Sequence, residues 1–298
     1  MEAVLPVLAK KFADTWLTLL VLPGLLYTAV LVVAHAAGHH GALDGAQTLS
    51  GLESLARAAQ RSGSAGTVLL LVAAVAVSSA AGYAATALGS AIQWIWLGTW
   101  GGGGWLVRRR SRRWDAAHDR YAAELLRLDG QTPRIDAVAV RRLAELATIR
   151  NRISLARPAR PTWIGDRFAA AEMRVWSEYR IDLGFCWPRL WLVLPEEART
   201  ECSAARAAFD SASSLAGWGA LYFLAGCWWW PGAVLGLGMV LVAWRKGRDT
   251  ATGFADLIES VIDVYGPELG LRLGVTAEHR PLDTDVGASI SAQIRKGA

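Results

Sequence analysis

The residue types in this sequence that could do chemistry fall into a few clusters, and most dissolve on inspection. His35, His39 and His40 offer two imidazoles at the i, i+4 spacing that metal ligands use on a helix. They sit at the end of an apolar run, where histidines belong to the lipid headgroup layer, and no metal is assigned. Asp283 and Asp285 form an Asp-x-Asp pair without the further oxygens and closing glutamate of a calcium loop, so a solvated tail is expected there. No serine has a histidine placed by a nucleophile motif. The Gly101 to Gly104 run lacks the Gly-Lys-Ser/Thr that a phosphate loop requires. Cys186, Cys202 and Cys227 are odd in number and contain no C-x-x-C, which argues against both a disulfide framework and a zinc site. No catalytic residue and no cofactor are assigned, and the leading expectation is a protein that is not an enzyme.

Three groups of residues survive. Arg160, Asp166, Arg167, Asp182, Trp187 and Arg189 set charges among tryptophans, with Trp163, Trp176 and Trp191 nearby. Such a group suits an anionic lipid head group or a protein partner; its plainer reading is an ion-paired elbow between helices. Arg108, Arg109, Arg110, Arg112 and Arg113 follow directly on an apolar stretch, where a cationic cluster anchors a membrane span on its cytoplasmic side. Ser78, Gly82, Thr86 and Ser90 recur every four residues, a stripe that permits either close helix packing or a pore lining. Nucleic-acid binding is not expected, because the net charge is only +5 and the basic residues alternate with acids beside apolar runs.

The elements that must position these groups are dictated by the distribution of charge. Of 298 residues, 53% are hydrophobic, and no Asp, Glu, Lys or Arg occurs between Arg61 and Arg108 or between Asp210 and Arg245. A span of roughly 20 apolar residues crosses the hydrocarbon core of a bilayer. The predicted fold is therefore all-α, a polytopic helical membrane protein with four transmembrane helices, three being the alternative. Residues 1–107 form an N-terminal membrane pair, with spans at about 15–37 and 67–87 and an aromatic interfacial extension to 105. Residues 108–210 form a helical cytoplasmic domain, 211–245 a membrane hairpin turning at Trp230, Pro231 and Gly232, and 246–298 a cytoplasmic amphipathic helix that stops at Gly266 and Pro267, followed by a frayed tail. By the positive-inside rule both termini are cytoplasmic. No Asp, Glu, Lys or Arg lies within a span, which disfavours a proton-coupled carrier.

One series of residues adds a resemblance. Arg160-Pro161-Thr162-Trp163-Ile164-Gly165-Asp166, Tyr179-Arg180-Ile181-Asp182 and Trp187-Pro188-Arg189-Leu190 resemble the P-T-R-x-G-N/D, Y-x-x-D and W-P-R-L series of a group of uncharacterised bacterial multi-pass membrane proteins. This sequence departs from it at Trp163, where arginine is usual. The resemblance implies paired hydrophobic segments around the series and a bacterial inner-membrane setting, and carries no functional residue with it.

The leading expectation is a membrane-anchored helical module binding a cytoplasmic protein partner or anionic lipid. An oligomeric channel, with several copies of the chain lining a pore through the second span, is the alternative, and a membrane enzyme comes third.

Overall fold

The computed structural model describes residues 21–39, 41–42, 44–61, 63–129, 137–277 and 280–295. The first part of the predicted first span (15–20), with Lys10, Lys11 and His40, lies outside them. The described residues form ten helices and no strand: α1 (Leu22–Ala37), α2 (Gly45–Arg61), α3 (Gly63–Leu97), α4 (Gly104–Asp129), α5 (Ala137–Ile153), α6 (Trp163–Tyr179), α7 (Leu183–Val193), α8 (Glu196–Ala225), α9 (Trp230–Arg272) and α10 (Thr284–Arg295).

The chain divides into two compact units. One takes 1–92 and 210–245; the other takes 93–209 and 246–298. The boundaries fall inside helices α3, α8 and α9 and not in linkers.

In the first unit, one helix among the described residues, α3, is long and apolar enough to cross a membrane, and only 22% of its most apolar window is buried; α1 is apolar but shorter. The four-span arrangement therefore exceeds what length and composition establish. Sequence length suggested that the second apolar stretch divides near residue 87, yet α3 runs unbroken for 35 residues, about 52 Å at 1.5 Å per residue. Gly89 stays helical there, its bare Cα against the Ser213–Ser214 backbone, where a Cβ would sit 3.0 Å from the Ser213 carbonyl oxygen. The helix ends at Gly98, whose φ of 65° suits the left-handed region that glycine tolerates. Helices α8 and α9 do form a hairpin. Its turn covers 226–229, slightly earlier than expected, because Trp230 and Pro231 already open α9, where proline's missing N–H costs nothing. Gly236 packs against the Phe223 and Gly219 backbone, and Gly226 against Ala233. Tyr27 of α1 donates to the Leu221 carbonyl of α8 (3.2 Å) and meets Tyr222 edge-on. Between α1 and α3 lies the 17-residue α2, whose Leu49 is exposed.

The second unit packs α4 against α5 and gathers α6, α7, α10 and the C-terminal part of α9 around a core of Val175, Ile181, Cys186, Leu190, Ile262 and Leu269 with Val286, Ile290 and Ile294. Two expectations fail here. The tail is not frayed: α10 buries Val286, Ile290 and Ile294, a stripe at i, i+4, i+8, and Gly287 sits against the Tyr179 carbonyl. Nor does α9 stop at Gly266 and Pro267. It continues to Arg272, since burying Leu269 (1% exposed) outweighs the one backbone hydrogen bond that Pro267 forfeits. On α4 and α5, Leu125, Val138 and Ile149 remain exposed.

Candidate functional site

The Arg160–Asp166 segment is first of all a latch. Thr162 caps α6, accepting the Gly165 N–H at 3.0 Å and donating to the Trp96 carbonyl. Gly165 approaches the Leu97 carbonyl so closely that no side chain fits. Asp166, 3% exposed, turns back to accept the N–H groups of Ala159 (2.8 Å) and Arg160 (2.7 Å) on one carboxylate oxygen, while the other meets Arg110 of α4 at 2.7 Å. Burial pushes the Asp166 carboxyl above, and the Arg110 guanidinium below, their ordinary pKa values, and the hydrogen bonds and mutual attraction only partly offset that. Arg110 also donates to the carbonyls of Ile153 and Arg160, and Ser111 and Trp114 donate to those of Pro158 and Ser154. One face of α4 thus holds the whole 153–160 segment by its carbonyls.

The remaining members of the predicted group scatter. Arg167, 4% exposed, turns to α9 and pairs with Asp256 and, at 3.7 Å, with Glu259, to which Arg174 also binds. Asp182 caps α7 and pairs with Arg295 of α10 at 2.6 Å. Ser291 reinforces that junction, accepting the Asp182 N–H and donating to the Arg180 carbonyl. Trp187 lies beside Trp191 at the edge of the core, and Arg189 donates to the Phe185 carbonyl on its own helix. Three of the six, Arg160, Asp166 and Asp182, do line one open cavity of about 400 Å³, together with Arg157, Glu172 and Trp176. Arg167, Trp187 and Arg189 are not among its lining residues. The Arg160 and Glu172 side chains form no ion pair among the described residues, and the cations that meet the Trp176 ring are Arg180 and Arg295, each 5.7 Å from its centroid.

The cationic cluster also divides. Arg110 points inward, whereas Arg108, Arg109, Arg112 and Arg113 are exposed. Arg108 and Arg112 line a second cavity, of about 410 Å³, with Val107, Ser111, Asp115, Arg157 and Pro158.

The small-residue stripe divides as well. Ser78 is fully buried, 3.1 Å from the Thr28 hydroxyl, and Gly82 is buried; Thr86 and Ser90 are exposed, each hydroxyl bonded to the carbonyl four residues back. A step of four residues advances about 40° beyond a full turn, so three steps rotate about 120° off the starting face. The packed face is Ser78, Ala81, Gly82, Ala85 and Gly89, which mixes threes and fours.

Arg157, Arg295, Asp256 and Glu259 are the partners that sequence reading missed. The helical period of Val286, Ile290 and Ile294 was the available signal for the docked tail that brings Arg295 to Asp182. The described residues contain no cluster of three or more His, Cys, Asp or Glu suited to a metal ion. Comparison of the chain with protein-family models, with curated proteins and with solved structures found no match.

Proposed function

We propose that this protein is a membrane-anchored helical module, with the helices of its first unit in the bilayer and its second unit offering a cytoplasmic surface to an anionic lipid or a protein partner. The observation that carries the reading is the exposure of apolar side chains on a unit whose helices α1 and α3 and whose hairpin, up to Trp244, hold no Asp, Glu, Lys or Arg beyond Asp210 at its edge. Leu69, Leu71 and Val72 of α3, Leu26 of α1 and Val234 and Val242 of α9 are each more than half exposed. An aqueous surface would not carry so much contiguous apolar area, and a bilayer requires it. The exposed arginines after α3 and the Arg245-Lys246 pair after the hairpin support a cytoplasmic second unit. On this reading the same pattern gives four spans, and the resemblance of the 160–190 series supports a bacterial inner-membrane location.

The hairpin turn carries a native reporter. Cys227 is exposed, while Cys186 and Cys202 are buried and burial raises both thiols, that of Cys186 to about 12. A membrane-impermeant maleimide applied to intact cells should label Cys227 alone, and the chain should stay in the pellet after alkaline carbonate. Release by carbonate removes the membrane reading, and labelling of Cys227 only after permeabilisation removes the topology. An oligomeric pore is the second reading, favoured by the exposed hydroxyl residues Thr86 and Ser90 on α3. A monomeric mass in nanodiscs would dispose of it.

A further inference from the structure

The five arginines after α3 are equivalent in sequence and are not equivalent in the fold. Arg110 is consumed by Asp166 and the 153–160 carbonyls. Arg109 and Arg113 are exposed and line no described cavity, whereas Arg108 and Arg112, one turn apart on α4, face a cavity that Arg157 completes from the facing segment. Arg157 is held in place by Asp115, to which its Nε and Nη2 donate in parallel at 3.0 Å each. The segment carrying it is fixed to α4 by Ser111, which donates to the Pro158 carbonyl at 3.1 Å, and by Trp114, which donates to the Ser154 carbonyl at 2.9 Å. Its geometry is therefore set before any ligand arrives.

Three guanidinium groups against the single carboxylate of Asp115 leave an excess of two positive charges around about 410 Å³. Arg108 and Arg112 form no ion pair among the described residues, so their forked donors are free for a planar or tetrahedral oxyanion. The rim points to a lipid rather than a free ion. Val107 and Pro158 line the cavity beside the charges, and Trp105, 56% exposed, stands one turn before Arg108, an aromatic residue of the type that settles at headgroup depth.

We infer that Arg108, Arg112 and Arg157 form a binding site for the phosphate of an anionic phospholipid head group. The inference rests on the membrane reading above and sharpens it from diffuse attraction to one pocket.

The test uses the full chain in a neutral detergent, titrated with short-chain phosphatidylglycerol, short-chain phosphatidylcholine and inorganic phosphate, and compares two variants of equal charge change. Arg108→Gln/Arg112→Gln removes two pocket donors; Arg109→Gln/Arg113→Gln removes two exposed arginines outside it. Phosphatidylglycerol should bind in preference to both other ligands. Its affinity should fall roughly tenfold or more in the pocket variant, the scale of losing charge-assisted contacts to a phosphate, and change less than about twofold in the other. Equal losses in the two variants would reduce the site to surface charge. Binding of inorganic phosphate as tight as that of the lipid would overturn the lipid assignment, and phosphatidylcholine binding as well as phosphatidylglycerol would overturn the anion site. Carbonate extraction of both variants, read separately, reports whether membrane residence itself has failed.

Discussion

In the first unit helices meet where side chains are missing; in the second, ion pairs join helices that also share an apolar core. Gly24 lies on Ser78, Gly217 on Ala85 and Gly236 on Phe223, each so close that a Cβ would collide with backbone, and at Gly89 a Cβ would be tight against Ser213. The second unit is tied by Arg110–Asp166, Arg167–Asp256, Arg174–Glu259 and Arg295–Asp182. The contrast follows from the solvent each unit is proposed to meet. Between helices in lipid there is no hydrophobic gain from association, so contact depends on close van der Waals approach and small residues. In water a core of the size of the second unit's forms from apolar burial, and buried ion pairs set which helices meet at what register more than how strongly they hold.

The largest test of that contrast is Asp166→Ala. It leaves Arg110 half-buried without a counter-charge and strands the N–H groups of Ala159 and Arg160, so a loss of about 3–5 kcal/mol is expected from urea or guanidinium unfolding of the second unit in detergent. A cost below about 1 kcal/mol would mean that the latch is solvated and the charge-tied description fails.

Gly217→Leu is the corresponding insult to the first unit. A Cβ there meets the Ala85 carbonyl, an atom of the backbone that cannot swing aside. Forcing apart α3 and α8 should cost about 1–3 kcal/mol, read as a lowered melting temperature in detergent, and more if the helices separate. An unchanged melting temperature would show that small residues are incidental to this packing.

A smaller and pH-dependent effect is expected at α10. Asp283 accepts the N–H groups of Val286 (2.9 Å) and Asp285 (3.1 Å) and pairs with Arg280, which together hold its carboxyl below the usual carboxylate range. A depressed folded-state pKa means that the stabilisation is complete above the ordinary carboxylate value and is lost as pH falls through the folded value. Protection factors at the first turn of α10, with exchange referred to the intrinsic rate at each pH, should therefore fall below about pH 4, and Asp283→Asn should abolish that dependence. An identical acid response in the variant would place the titrating group elsewhere.

The smallest effect is predicted for Thr86→Leu. Its side chain is exposed and its hydroxyl already serves the Gly82 carbonyl, so stability should move by less than about 0.5 kcal/mol. A large loss would mean that Thr86 faces another protein surface, which would favour an oligomer.

Helicity, the apolar character of α3 and the hairpin of α8 and α9 were legible in the sequence, because period and charge-free length are local properties that the backbone must satisfy wherever the chain goes. The end of α3 was less so: the aromatic extension read as reaching 105 stops already at Gly98. The same local reading could not tell which charges are spent. Arg108 to Arg113 read as one cluster, yet a step of 100° per residue sends Arg110 to Asp166 and Arg108 and Arg112 to a shared cavity. Asp166, Arg167 and Asp182 read as one site, yet they serve a loop, α9 and α10 in turn. Their partners lie 56, 89 and 113 positions away, separations at which residue type and spacing carry no information. Sequence decided that these helices form and where charge is forbidden. Tertiary structure alone decided which arginines are neutralised by a carboxylate and which remain free, because that depends on the direction each side chain takes once two distant helices share a boundary.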